Sequence, residues 1–124
     1  MKTGGCLCGA VTYRVNGPLR PVVACHCGQC RKASGNYVAA TSALREQVEI
    51  TGTPQWYASS ETARRGFCPT CGAFLFWKDT KDPHISFSLG AIEGPTGLKL
   101  EKHIFVADKG DYYQIADGVR QEEN

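Results

Sequence analysis

The sequence predicts a mainly β protein with one short helix, and three observations carry that prediction. Fourteen glycines and six prolines punctuate the 124 residues, with short β-prone runs between them. Several of these runs alternate apolar and polar residues with the period of two that marks a half-buried strand, as in His84-Ile85-Ser86-Phe87-Ser88-Leu89. All seven cysteines fall into three tight clusters, the pattern of a small domain organised around metal rather than around long helices.

In chain order, the β-prone runs are Ala10–Val15, Val22–Cys25, Tyr37–Ser42, Val48–Thr51, Trp56–Ala58, Ala73–Trp77, Ile85–Leu89 and His103–Val106. Each is rich in β-branched or aromatic residues, and turn-forming residues separate them. Only Gly28–Ser34 (Gly-Gln-Cys-Arg-Lys-Ala-Ser) reads as a helix, with Gly35 placed to close it. The polar tail from Gln121 to Asn124 is expected to fray. Trp56, Phe74, Phe76 and Trp77 are expected in the core rather than along a substrate wall. No composition shift or linker divides the chain, so residues 1–124 are read as a single domain. A domain of this size buries roughly 65–70% of the surface its unfolded chain exposes, enough for a real core.

Composition excludes several classes. Hydrophobic residues at 42% and charged residues at 21% describe a soluble globule. A formal charge of +2, with Arg31-Lys32 and Arg64-Arg65 as the densest basic pairs, argues against a nucleic-acid or membrane surface. Bound metal would lower that charge further, because its cysteine ligands are thiolates. No signal-like or membrane-spanning apolar run occurs. A reducing cytoplasm is therefore expected, where cysteines serve as ligands or reactive thiols more often than as disulfides.

The cysteines are Cys6 and Cys8, then Cys25, Cys27 and Cys30, then Cys68 and Cys71. Seven scattered core cysteines would not all fall into C-x-C and C-x-x-C spacings. Disulfides fit poorly with an odd count and with pairs one residue apart. Zinc fits, because such spacings set two thiolates on one turn, and Gly5, Gly9 and Gly72 permit tight knuckles. The ferredoxin spacing of an iron–sulfur cluster is absent. Seven ligands divide into a closed site of four and an open site of three, the latter leaving a coordination position for substrate. Spacing leaves the partition open: Cys27 and Cys30 could equally join Cys68 and Cys71 in a ribbon. A histidine remains a candidate eighth ligand. The ring of His26, between two cysteines, should point away from them in extended chain. His84 and His103 open predicted strands and read as structural or surface residues.

The segments Gly-Gly-Cys-Leu-Cys-Gly-Ala-Val, Cys25-His26-Cys27-Gly28-Gln29-Cys30-Arg31 and Phe67-Cys68-Pro69-Thr70-Cys71-Gly72 resemble the glutathione-dependent formaldehyde-activating enzyme family, which includes centromere protein V. The resemblance continues through His103–Lys109 and Ile115–Gly118, with Tyr112 standing near an expected tryptophan. It implies a β-tent of antiparallel sheets pinned by a structural zinc on Cys6, Cys8, Cys68 and Cys71. It implies a second, catalytic zinc on Cys25, Cys27 and Cys30, hence two Zn²⁺ per chain. It also implies a carbon–sulfur lyase or synthase that joins or releases a small thiol, such as glutathione, and an aldehyde, such as formaldehyde. Arg31 and Lys32 are expected to receive a substrate carboxylate and Ser34 to offer a hydrogen bond, while the helix start at Gly28–Gln29 favours negative charge at the metal. Two other classes remain open: a non-catalytic zinc module that binds a protein partner, and a redox or zinc-buffering protein. The direction of reaction and the oligomeric state are not legible in the sequence.

Overall fold

The computed structural model describes residues 1–124. Its strands are β1 (Lys2–Gly5), β2 (Thr12–Val15), β3 (Val22–Cys25), β4 (Val38–Leu44), β5 (Val48–Thr51), β6 (Gln55–Ala58), β7 (Ala63–Phe67), β8 (Phe74–Asp79), β9 (His84–Ser88), β10 (Leu100–Ile104) and β11 (Arg120–Gln121). One α-helix, α1, spans Gly28–Ser34, and three single 3₁₀ turns complete the chain. The mainly β class with one short helix is therefore as the sequence predicts. The chain forms two compact units, Met1–Arg20 with Thr41–Thr96, and Pro21–Ala40 with Gly97–Asn124.

In the first unit, β2 lies between β1 and β5, antiparallel to both. Strands β6 to β9 form a second antiparallel run in which each pairs with the next. The expected alternation along β9 holds: Ile85 and Phe87 are buried while His84 is exposed. One apolar core joins these strands, with Tyr13, Val15, Leu75, Phe76, Ile85 and Phe87 all at most 1% exposed. Tyr13 meets Phe76 edge-on at 5.5 Å, and Trp56 stacks on Phe76 at 5.9 Å. Phe76 and Trp56 thus pack as expected, whereas Trp77 lines a cleft of about 580 Å³ with Leu19, Arg20, Leu44, Asp82 and His84. No cysteine lines that cleft.

Two strands of this unit escape the sequence pattern, both because of glycine. β1 carries Gly4, where a Cβ would come within 2.4 Å of the Tyr13 ring. β7 carries Gly66, where a Cβ would meet the Trp56 ring at 2.9 Å. Glycines that read as turn residues are here strand residues that an aromatic side chain approaches too closely for a Cβ.

In the second unit, β10 lies between β3 and β11 and runs parallel to both, with Ile104 opposite Cys25. β3 also pairs antiparallel with the first part of β4, Cys25 opposite Val38. β10 begins three residues before the predicted start, so His103 lies inside the strand rather than opening it. The strand stops at Phe105, which takes the left-handed conformation (φ 54°) and turns the chain into a 3₁₀ turn.

Candidate metal centres

The structure gathers the cysteines into a group of four, Cys6, Cys8, Cys68 and Cys71, and a group of three, Cys25, Cys27 and Cys30; within each group the sulfurs lie within 4.8 Å of one another. Of the partitions that spacing leaves open, this one is present.

The group of four belongs to the first unit. Cys6 and Cys8 flank the exposed Leu7 at the end of β1, and Cys68 and Cys71 sit on the knuckle between β7 and β8. Gly72, at φ 78°, closes this knuckle by donating its N–H to the Cys68 carbonyl (2.8 Å). Sγ–Sγ distances are 3.7 Å for Cys6–Cys8 and for Cys8–Cys68. A disulfide needs about 2.05 Å. A tetrahedron of sulfurs about 2.3 Å from a central zinc has edges of about 3.8 Å. The sulfurs therefore have the spacing that a tetrahedral ion requires. Backbone N–H groups point at them: Val11 to Cys6 (3.3 Å), Thr70 to Cys68 (3.4 Å) and Cys71 to Cys68 (3.5 Å). Such donors favour the thiolate. The N–H groups of Ala73 and then Cys8 bring the Cys71 thiol down to about 6, and that of Val11 lowers Cys6. At Cys8 the Ala10 N–H acts in the same sense, but burial and the neighbouring sulfurs outweigh it and push the thiol up to about 11.

The group of three belongs to the second unit. Cys25 ends β3, Cys27 caps α1, and Cys30 lies buried in its first turn. The Cys27 sulfur accepts from the Cys30 N–H (3.4 Å), so the ligand cluster and the helix start are one device. Gly35, at φ 76°, closes the helix by donating to the Arg31 carbonyl, as the sequence predicts. Cys25 is held well above the usual thiol range, first by the Cys30 sulfur and then by burial. Three soft sulfur donors so placed suit a thiophilic ion and leave a tetrahedral position open.

The other predicted site residues sit close by. The Arg31 guanidinium donates to the Asp108 carbonyl (2.6 Å), Lys32 is exposed, and the Ser34 hydroxyl serves the helix end, donating to the Cys30 carbonyl (2.8 Å) and accepting from the Asn36 N–H (3.1 Å). Of the histidines, His84 is exposed and bonded to Asp82 (2.8 Å). His26 is fully buried with both ring nitrogens engaged, Nδ1 by Tyr113 (2.6 Å) and Nε2 by His103 (2.9 Å), so it has none left for a metal. His103, read as structural or surface, is buried and bonded through Nε2 to Asp117 (2.8 Å). Tyr113 is missed by motif reasoning, which also gives Asp117, within the Ile115–Gly118 stretch, no role, because nothing near them in sequence suggests a shared cluster.

A mainly β fold with one closed and one open cysteine cluster defines the class: a small protein with two sites fit to hold thiophilic metal ions. Comparison with known proteins makes the class specific. The chain belongs to the glutathione-dependent formaldehyde-activating enzyme family, whose family model matches residues 1–108. It is 28% identical to an uncharacterized lyase of Schizosaccharomyces pombe, over 92% of this chain and 85% of that one. It is likewise 28% identical to a protein of Halomonas elongata provisionally named a glutathione-dependent formaldehyde-activating enzyme, over 90% of this chain and 79% of that one. The crystal structure of a Rhodobacter sphaeroides protein shares the fold, with a TM-score of 0.63 at 23% identity, covering 79% of this chain and 98% of that one.

Proposed function

We propose that the chain is a zinc-dependent enzyme of carbon–sulfur chemistry that joins or releases a small thiol and an aldehyde, with glutathione and formaldehyde as the reference pair. In the forward sense the thiol sulfur bonds to the carbonyl carbon, the carbonyl π pair becomes an alkoxide, and the thiol proton ends on that oxygen, giving an S-hydroxymethyl adduct. The open cluster of three sulfurs carries this reading, because a closed structural site would have no position for a substrate. Cys25, Cys27 and Cys30 would hold the working zinc, and Cys6, Cys8, Cys68 and Cys71 the structural one. When bound, a zinc at the three-cysteine site supplies a place where a substrate thiol is held as the nucleophilic thiolate near neutral pH.

The chain's own residues orient the substrate. Lys32, on the turn after Cys30, presents an exposed ammonium to a carboxylate of a peptide-like thiol. Arg31 is anchored by the Asp108 carbonyl (2.6 Å) and has guanidinium N–H groups to spare for the same partner. Ser34 acts at the helix end. No helix of the chain is long and apolar enough to cross a membrane, and a reducing cytoplasm would keep the seven cysteines out of disulfides.

Cys27→Ser tests the reading. Serine keeps the helix cap that Cys27 supplies, so the change removes a metal ligand while sparing the helix. Plasma mass spectrometry should find two zincs per chain in the wild type and one in the variant. Circular dichroism should be unchanged, and adduct formation followed by NMR should be lost. One zinc in both proteins, or full activity in the variant, would refute the assignment.

A further inference from the structure

The metal ligands do not account for the second unit's interior, where His26 and His103 are buried, as are Val22, Val23, Ala24 and Val38. A buried imidazole needs partners at both nitrogens, and these two find theirs in a single line. Tyr113 Oη lies 2.6 Å from His26 Nδ1, His26 Nε2 lies 2.9 Å from His103 Nδ1, and His103 Nε2 lies 2.8 Å from Asp117 Oδ2. The Asp117 carboxylate is itself steadied by the Val119 N–H, which donates to Oδ1 (3.0 Å).

With both rings neutral, the far end sets the direction of the whole line. An ionised carboxylate only accepts, so His103 Nε2 carries a proton. In the neutral ring Nδ1 is then a lone pair, which requires a proton on His26 Nε2. His26 Nδ1 is in turn a lone pair and accepts a hydrogen bond from the Tyr113 hydroxyl. Every polar atom in the line is satisfied when both rings are neutral and in the Nε2–H form.

The line runs through the residue that joins Cys25 to Cys27. The His26 N–H donates to the Ile104 carbonyl (3.0 Å) on the strand that carries His103. The His26 ring packs against Tyr37 at 4.9 Å and Tyr113 at 5.7 Å. A residue pinned at both backbone and ring restricts the peptide units on either side, and those units aim the two thiols.

We propose that Asp117 and Tyr113, acting through His103 and His26, are positioning residues for the three-cysteine centre: they hold His26 in one tautomer and one orientation, and thereby hold Cys25 and Cys27 in ligating register with Cys30. This rests on the reading of that cluster as a metal centre. Tyr113 lies beyond residue 108, where the family model's match ends, and Asp117 falls in the Ile115–Gly118 stretch that resembles the family.

Long-range ¹H–¹⁵N NMR of the whole protein at neutral pH reads the tautomers directly. Both rings should be Nε2–H in the wild type; a proton on Nδ1 of either ring overturns the line. Asp117→Ala removes a side chain that is 42% exposed, so the variant should fold. It should mix the histidine tautomers and weaken cobalt(II) at the three-cysteine centre about tenfold, with altered ligand-field bands. The four-cysteine centre should keep its cobalt, and Asp117→Glu should recover part of the loss. Unchanged cobalt affinity and bands in Asp117→Ala, beside a wild type that fills both centres, would overturn the positioning role alone. A wild type that binds cobalt only at the four-cysteine centre would overturn the metal reading and this proposal together.

Discussion

Cys8→Ser gives the sharpest test of the four-cysteine centre. Cys8 is exposed, so replacing it opens no cavity in the core; destabilisation then reports on the metal cross-link. The link joins Cys8 to Cys68 across 60 residues. Closing a loop of that length removes chain entropy from the unfolded state worth about 4 kcal/mol. For 124 residues, unfolding entropy near the melting temperature converts 4 kcal/mol into about 15 °C. That is a large share of the roughly 5–15 kcal/mol that holds a domain together. The assay is thermal unfolding followed by circular dichroism in zinc-replete buffer, with zinc content measured on the same samples. A strong chelator, which removes the link outright, should lower the wild-type melting temperature by about 15 °C, and the variant, left with Cys6, Cys68 and Cys71, should melt between the two. A wild type whose melting temperature the chelator does not move would refute the clamp and leave these cysteines as ordinary thiols.

Other expectations follow from single contacts. Gly35→Ala should cost about 1 kcal/mol in denaturant unfolding; a Cβ there meets nothing within 4 Å, so the penalty is that of φ 76° alone. Lys32→Gln should raise KM for a carboxylate-bearing thiol up to about fivefold, the worth of an exposed charge contact, and leave KM for an uncharged thiol unchanged. His26 is held below the usual imidazole value of 6.5, first by burial and then by His103 and Lys109. Its folded value is the lower one, so the stability it contributes is present at and above pH 6.5 and is lost as pH falls through the folded value. Melting temperature should therefore fall on acidification below pH 6.5, with a shallower slope in His26→Gln.

Much of this molecule was legible before folding, because the relevant physics is local. A thiolate pair one or two residues apart is a chelate by virtue of its spacing. Alternation along β9 exposes its periodicity directly, and α1 carries both its ends, Cys27 and Gly35, in sequence. Strands β1 and β7 were not legible, because Gly4 and Gly66 look like turn residues until Tyr13 and Trp56 are seen lying across them.

By itself, then, the sequence determined the mainly β class, the single short helix and seven cysteines poised to ligate, since each depends on neighbours along the chain. Only the tertiary structure decided the division into four and three, because packing on one apolar core brings the β7–β8 knuckle back to Cys6 and Cys8 across some 60 residues. It also decided the line from Tyr113 to Asp117. His26 is 77 residues from His103 and 87 from Tyr113, and over such separations a hydrogen bond is set by the fold.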